Sequence, residues 1–535
     1  MIAAINTEVT NLALKAAGAT APTRTSRIFN ADLIVTDAAG NVHPYLAESL
    51  PQLDTDSWQV QPDGRMQTTW KLRPGLTWQD GSPLTADDFV FASQVYGDPA
   101  LTGIFVVRPQ NLIERVVALD PQTLEIDWRA PYQLNTSIAN GGMLPPLPRS
   151  ILGASFSAFT EDPTGQRDAF MAQRFWTTEY VGAGPFRLTN WVPGSYLEGA
   201  AFDGHALGRP KIDKIQLRLI NDASTVLAGM LSGDLTVTMV QAIKFQQAMV
   251  LRDQAGFNGG AGKGKLVFTE AGVTSAFPQF RPEYQQTPGL LDPRVRQALA
   301  SAIDRQAIDD GIFDGQAPIP YAIVTSTVPY YAQIDSAIAK YPYDPAKAAQ
   351  LMTEAGFTRG STGFFVGPNG EPFQPAFWNS AGAQKEQVMD IVVDTWKQAG
   401  IDSQPFVLPA ALEQSQQARA TFPGMLVYNL AFAGTVTSAD KLTSPEIATP
   451  ANNWNGQNRG GWSNTDFDTL FDRYSSTLQP ADQIDALVRM MKVYTEQVAN
   501  MPLFYEQDVV SHQANLRGPE GDSSNWNIYA WELTS

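Results

Sequence analysis

Apolar and polar positions change period along this chain, and the changes mark its elements. The opening run Ile2 to Val9 reads as a buried strand. Trp58 and Val60, then Met66, Thr68, Trp70 and Leu72, alternate on either side of Pro62-Asp63-Gly64, which predicts a hairpin. Thr85 precedes the acidic pair Asp87-Asp88 and the apolar Phe89, Val90 and Phe91, so the pattern predicts a capped helix with an acidic first turn. Gly141 to Pro148, with three prolines and two glycines, can continue neither helix nor ladder and is read as a crossing segment. Gly182-Ala183-Gly184-Pro185 introduces a strand at Phe186, and Lys211 to Leu219 alternates strictly.

Farther on the period becomes helical. Val295, Leu299, Ala302 and Ile303 share one face after Asp292-Pro293, an N-cap followed by proline at the first helical position. Asp344-Pro345 repeats the device ahead of Leu351, Met352 and a closing Gly356, while Ile484, Leu487, Val488 and Met491 mark another amphipathic face. The strand-like Pro405 to Leu408 and Gly424 to Tyr428 lie between these helices, so this half is expected to form an α/β lobe.

Composition narrows the function. A chain of 535 residues with 43% apolar positions builds two or three lobes rather than one core. The formal charge of −17 repels phosphate backbones, so no nucleic-acid partner is expected. Without a run of about 18 apolar residues no membrane span is expected. Zero cysteines remove thiolate catalysis, disulfides and zinc-cysteine sites. Met1 to Ile5 has neither a basic nor a long apolar leader, so the chain is read either as cytoplasmic or as a processed form.

Most candidate chemistry has a plainer reading. Gly259 to Lys265 lacks the G-x-x-x-x-G-K-[ST] order of a phosphate loop and is read as a loop between strands. His43, His205 and His512 form no H-x-x-x-H pair, so neither a metal centre nor any other cofactor is expected. No G-x-S-x-G elbow is present. Paired carboxylates are spatial and stay open, which leaves a carboxylate-pair glycoside hydrolase as the alternative function. The segment Asn452 to Asn464 holds two tryptophans, an arginine and several amides ahead of a helix. Aromatic faces with amide and guanidinium donors line sites for polar organic ligands, which nominates Asn453, Trp454, Arg459 and Trp462; the plainer reading packs the tryptophans on their own lobe.

Five groups of segments stand in order along the chain: Pro44-Tyr45-Leu46-Ala47-Glu48-Ser49, Trp70 to Gly75 and Asp80 to Asp88; Gly182 to Phe186 with Trp191 to Gly194; Leu291 to Leu299 with Ala302-Ile303-Asp304-Arg305; Tyr343-Asp344-Pro345 with Glu354 to Phe357; and Met501 to Tyr505. Together they resemble the family 5 extracellular solute-binding proteins of ABC importers, the oligopeptide and dipeptide type with an extra lobe. The resemblance implies a periplasmic-binding-protein type II fold, two α/β lobes with a hinge plus an inserted α+β domain. It places lobe I at 1–33, 182–268 and 501–535, the inserted domain at 34–181 and lobe III at 269–500. It implies a non-enzyme that closes on a polar organic solute, an oligopeptide or an oligosaccharide, and docks as a monomer on a membrane permease. The expected location is the periplasm or the outer face of the cytoplasmic membrane.

The family's peptide binders hold the ligand's ammonium with an aspartate just after the strand that ends here near Asn429. Phe432 or Gly434 stands in its place, and no acid follows until Asp440. An unpaired ammonium in a closed site costs several kcal/mol, so Glu8, after the first strand, is the candidate replacement. Asn379 keeps the family's polar position beside Trp378, a candidate stacking surface. Arg281 stands where the family more often has asparagine; its planar fork suits a carboxylate or phosphate, or else a surface ion pair.

Overall fold

The computed structural model describes residues 1–13, 27–37, 41–101, 110–133, 144–239, 241–259, 262–287, 289–430, 439–519 and 525–534. Phe432 and Gly434 therefore lie outside the described residues, as does the start of the crossing segment at 141–143. The chain divides into two units, Met1–Thr269 with Gln507–Ser535, and Glu270–Glu506. Residues assigned to lobe I and to the inserted domain share the first unit, apart from 501–506, and those assigned to lobe III form the second from Glu270 on.

In the first unit the strands are β1 (Ile2–Ile5), β2 (Ile34–Thr36), β3 (Val42–Pro44), β4 (Trp58–Val60), β5 (Met66–Lys71), β6 (Ile113–Asp120), β7 (Thr123–Trp128), β8 (Phe186–Val192), β9 (Tyr196–Ala201), β10 (Lys214–Leu219) and β11 (Val237–Thr238). β1 lies between β10 and β11, parallel to both, and β9 and β8 continue the sheet antiparallel beyond β10. A strand with parallel partners on both sides is covered on both faces, which is why Ala3, Ala4 and Ile5 are all apolar and buried. The strand stops at Ile5, short of the expected Val9.

The predicted hairpin forms: β4 pairs with β5 in the register Trp58↔Thr68 and Val60↔Met66, and Gly64 takes the left-handed φ of +86° in the turn. β7 and β6 complete a four-stranded antiparallel sheet. The helix Ala86–Gly97 follows as expected, and Asp88 closes its N-terminus by accepting from the Thr85 backbone N–H at 2.9 Å. Asp88 also accepts from the Arg149 N–H and the Trp78 indole, and burial raises its carboxyl above the usual range. Gln79 ties this region to β8: its amide donates to the carbonyls of Gly184 and Phe186 at 2.9 and 2.8 Å and accepts from the Gly182 N–H. A Cβ on Gly184 would sit 2.3 Å from the Asn30 nitrogen, so this close approach requires the glycine.

The chain enters the second unit within β12 (Gly264–Pro278) and leaves it within β18 (Met501–Gln513). Of the Gly259 to Lys265 stretch, 260–261 lie outside the described residues and Gly264 and Lys265 already belong to β12; the element before it is the helix Phe245–Ala255, so the stretch falls between a helix and a strand rather than between two strands. The other strands of the second unit are β13 (Thr358–Arg359), β14 (Phe365–Val366), β15 (Ala376–Ser380), β16 (Gln404–Leu408) and β17 (Met425–Leu430). β15 runs parallel to β16 and β17, and β17 runs antiparallel to β12 from Val273↔Leu430 to Pro278↔Met425. Asp292 and Asp344 cap the helices Pro293–Ser301 and Pro345–Glu354 through backbone N–H bonds of 2.8 Å. Val295, Leu299, Ala302 and Ile303 are all fully buried.

Two buried arginines, one in the helix Pro293–Ser301 and one at the start of the helix Arg305–Phe313, bond backbone carbonyls rather than a carboxylate. Arg296 donates to the carbonyls of Leu290, Leu291 and Gln497, and Arg305 to those of Tyr341 and Pro502 at 3.0 and 2.7 Å. Burial lowers each to about 10, so both stay charged at neutral pH.

The buried His205 yields a pH prediction. Its Nδ1 faces the Gly208 carbonyl at 2.8 Å and must carry the proton, so Nε2 accepts from the Tyr45 hydroxyl at 2.7 Å. Burial pushes its pKa down to about 4. Because the folded value lies below the unfolded one of about 6.5, stability is intact above that pH and falls as pH drops towards the folded value, by about 3 kcal/mol in all. Urea unfolding at pH 7 and pH 4.5 should show a smaller acid loss for His205→Gln than for the wild type; equal losses would contradict this.

Candidate functional site

The residues nominated from the sequence concentrate where β12 ends. Past Pro278, Gln279 donates to the carbonyls of Ala420 and Phe422 at 3.0 and 3.1 Å, and the Phe280 N–H bonds the Gly460 carbonyl at 2.8 Å. The loop that carries Asn453, Trp454 and Arg459 is thereby laid against the strand's end.

Arg281 fixes it there. The guanidinium donates to the carbonyls of Ala420, Ala448 and Arg459, the last at 2.7 Å, and to the Gln279 side-chain oxygen at 3.0 Å. Its flat face lies 5.0 Å over the Tyr284 ring. Desolvation lowers its pKa, with Tyr284 and Glu283 opposing. The planar fork expected to meet an anion is committed to backbone carbonyls of three segments.

Asn453 and Trp454 occupy consecutive left-handed positions, with φ of 53° and 62°. That region is uncommon for non-glycine residues and strained for a bulky one. A short 3-10 turn (Pro450–Asn452) imposes it, through a Thr449 N–H bond to the Asn452 side chain and a Trp454 N–H bond to the Thr449 carbonyl at 2.8 Å. The Trp454 indole meets Tyr284 edge-on at 6.2 Å, half-exposed, while Asn453 is exposed. Arg459 lies 4.9 Å over the ring of Tyr428, which stacks on Phe277 at 3.9 Å. Desolvation lowers the Arg459 pKa and the neighbouring Arg419 lowers it further.

The remaining nominees sit elsewhere. Trp462 is 6% exposed and wedged edge-on against Phe467 and Tyr494, in the packing of its own lobe. Asn379 is buried; its amide donates to the Lys385 carbonyl at 2.7 Å and its oxygen accepts from the Ser380 N–H, which shapes the turn into the helix Ala383–Gln398. Trp378 pairs with Phe406 at 4.9 Å along a surface hollow that also includes Gln286, Gln374 and Gln404. Glu8 is exposed in the first unit. Thus Arg281, Asn453, Trp454 and Arg459 come together, and Trp378 with Asn379 forms a separate pair on β15. The fold adds Arg419 and Lys441 to the neighbourhood of Arg459, two cations that no local pattern connects to it.

Removing the Arg281 donors leaves buried carbonyls unpaired. Arg281→Met should lower unfolding stability by at least about 2 kcal/mol, read as a lower urea midpoint at unchanged slope. Unchanged stability would mean that the carbonyl bonds do not support the fold.

Comparison with known proteins agrees with this architecture. The description "Bacterial extracellular solute-binding proteins, family 5 Middle" matches residues 41–444. The oligopeptide-binding protein AppA of Bacillus subtilis (strain 168) is 25% identical over 403 residues, covering 74% of this chain and 67% of that protein. The glutathione-binding protein GsiB of Escherichia coli (strain K12) is 25% identical over 475 residues, covering 86% and 82%. Among solved structures, the oligopeptide-binding protein of Thermus thermophilus complexed with a pentapeptide superposes with a TM-score of 0.77 at 20% identity, covering 100% of this chain and 96% of that one. NikZ of Campylobacter jejuni in complex with Ni(L-His) gives 0.76 at 18% identity, covering 99% of each chain. Among the described residues no helix is long and apolar enough to cross a membrane. The match over most of its length shows that this chain belongs to the bacterial extracellular solute-binding proteins of family 5, the substrate-binding components of ABC importers, and is a binding protein rather than an enzyme.

Proposed function

We propose that the chain captures short peptides outside the cytoplasmic membrane as a monomer, and delivers them to the permease of an ABC importer. The observation that carries this reading is the family match, together with relatives named for oligopeptide and glutathione binding. The gathered aromatic, amide and guanidinium groups at the end of β12 support it, since these recognise peptide backbones and polar side chains. Asn453, Trp454 and Arg459 are the proposed contacts in the second unit, and Glu8 the proposed acid for a ligand ammonium. Arg281, bonded to the carbonyls of the loop, supports the site rather than touches the ligand, and Asn379 and Trp462 are bonded or packed away from it. The location proposed is the periplasm or the outer face of the cytoplasmic membrane.

A second reading, an oligosaccharide ligand, draws on one observation: Trp378 and Phe406 form an aromatic surface in a hollow lined by three glutamines and no charged side chain. Thermal unfolding separates the two readings. After an unfold-and-refold step to strip carried ligand, the protein is heated with a pool of di- to pentapeptides or with a pool of oligosaccharides. A ligand at a hundred times its dissociation constant adds about 2.7 kcal/mol, which moves the midpoint by a few degrees. The expected result is a shift with peptides; a shift with saccharides alone would replace the peptide reading.

A further inference from the structure

In the second unit three cations from separate segments, Arg419, Lys441 and Arg459, come together. Two polar clamps, one buried and one half-buried, bring them together. The Asn458 amide, 7% exposed, donates to the carbonyls of Leu442, Thr443 and Trp462 at 3.2, 3.1 and 2.7 Å, which sets Lys441 beside Arg459. A single terminal nitrogen of Arg281 donates to both the Ala420 and the Arg459 carbonyls, which sets Arg419 beside Arg459 from the other side. Three cations from separate segments are thus held by bonds that involve none of their own charges.

None of the three has an acidic partner at ion-pair distance. Among the described residues, the ion pairs within 4.0 Å include neither Arg419, Lys441 nor Arg459. Glu446 acts on Lys441 and Glu413 feels Arg419, both from beyond that distance. Arg419 spends one terminal nitrogen on the Gln416 side chain at 2.7 Å, while its Nε is buried with no acceptor. Arg459 lies over the Tyr428 ring and makes no ion pair among the described residues. Desolvation is the first cause lowering both Lys441 and Arg459, and each of them is lowered further by a neighbouring arginine. A donor buried without an acceptor is destabilising, and unpaired like charges add to that. An anionic group placed among the three would relieve both costs.

We propose that Arg419, Lys441 and Arg459 form an oxyanion subsite that takes a carboxylate of the captured solute, or a phosphate through the same anionic oxygens, with Arg459 presenting its fork and Tyr428 fixing the plane of that fork. The ligand side of this proposal rests on the peptide reading above; the subsite itself rests on the three cations. A peptide with a free carboxylate would offset part of the cluster's charge, and its amide would leave the cluster as costly as in the empty protein.

The test uses the full refolded chain and three probes: a random tripeptide pool with free C-terminal carboxylates, the same pool amidated, and inorganic phosphate. The free-acid pool is expected to raise the thermal midpoint and the amidated pool to bind at least tenfold more weakly. Arg459→Gln should abolish that preference, and Arg459→Lys should retain part of it. The empty protein supplies a readout that needs no ligand: Lys441→Gln should raise its midpoint, because a repelled, desolvated charge is removed. Equal binding of the two peptide pools, unaffected by Arg459→Gln, would overturn the subsite while peptide capture stands. A phosphate shift that depends on Arg459, with neither peptide pool active, would keep the subsite and overturn peptide capture. A lowered midpoint for empty Lys441→Gln would contradict the claim that the cluster is strained.

Discussion

The second unit depends on guanidinium groups that bond backbone carbonyls. Arg281, Arg296 and Arg305 each reach carbonyls from segments far apart in the chain, and none of them makes a carboxylate pair there. An arginine suits this task because its charge is delocalised and its five donors are set in a fixed plane, so one side chain can satisfy several carbonyls that helix ends and loops leave without a partner. Keeping the charge desolvated is costly, as the lowered pKa of each shows. The cost is offset because charged donors make stronger bonds than neutral ones in a low-dielectric setting.

From this constraint follows the shape of the loop from Thr449 to Arg459. Once Ala420, Ala448 and Arg459 are held on one guanidinium, the chain from Thr449 to Arg459 must turn sharply, and it does so through two left-handed residues, one of them a tryptophan. Strain of this kind persists only where the surroundings over-determine the backbone. Here the surroundings are the Thr449–Asn452 cap, the Arg281 clamp and the Asn458 amide. The same clamps gather cations that would otherwise separate, so the loop's architecture and its electrostatics have one origin. In a chain carrying −17 overall, such a local positive site is selective for an anionic group that the rest of the surface repels.

Local signals were legible in the sequence wherever the physics is local. The Pro62-Asp63-Gly64 hairpin, the helix after Thr85 with its acidic first turn and the Asp-Pro helix starts at 292 and 344 all appear at the positions their residues specify. Ordered motifs along the chain likewise identified the family, although several of the residues in them, Arg296 and Arg305 among these, turn out to be carbonyl clamps. The extent of β1 was less legible, because a short apolar run does not reveal where its partners end. At the site, the residue type of Arg281 pointed to planar recognition, but its acceptors come from Ala420, Ala448 and Arg459, which no spacing connects. Trp454 and Trp462 read alike in sequence; one lies half-exposed on Tyr284 and the other in the packing around Tyr494. The grouping of Arg419 and Lys441 with Arg459 is a product of tertiary clamps and has no sequence signature.

The most direct measurement is native-state hydrogen exchange on Arg281→Met beside the wild type. If one guanidinium holds the loop to the end of β12, the amides of Phe280, Asn458 and Gly461, which bond the carbonyls of Gly460, Glu446 and Asn458, should lose tenfold or more of their protection. Amides of β1 in the first unit should be unchanged. Loop amides that exchange at the wild-type rate in the variant would contradict the account, since the loop would then be held by something other than Arg281.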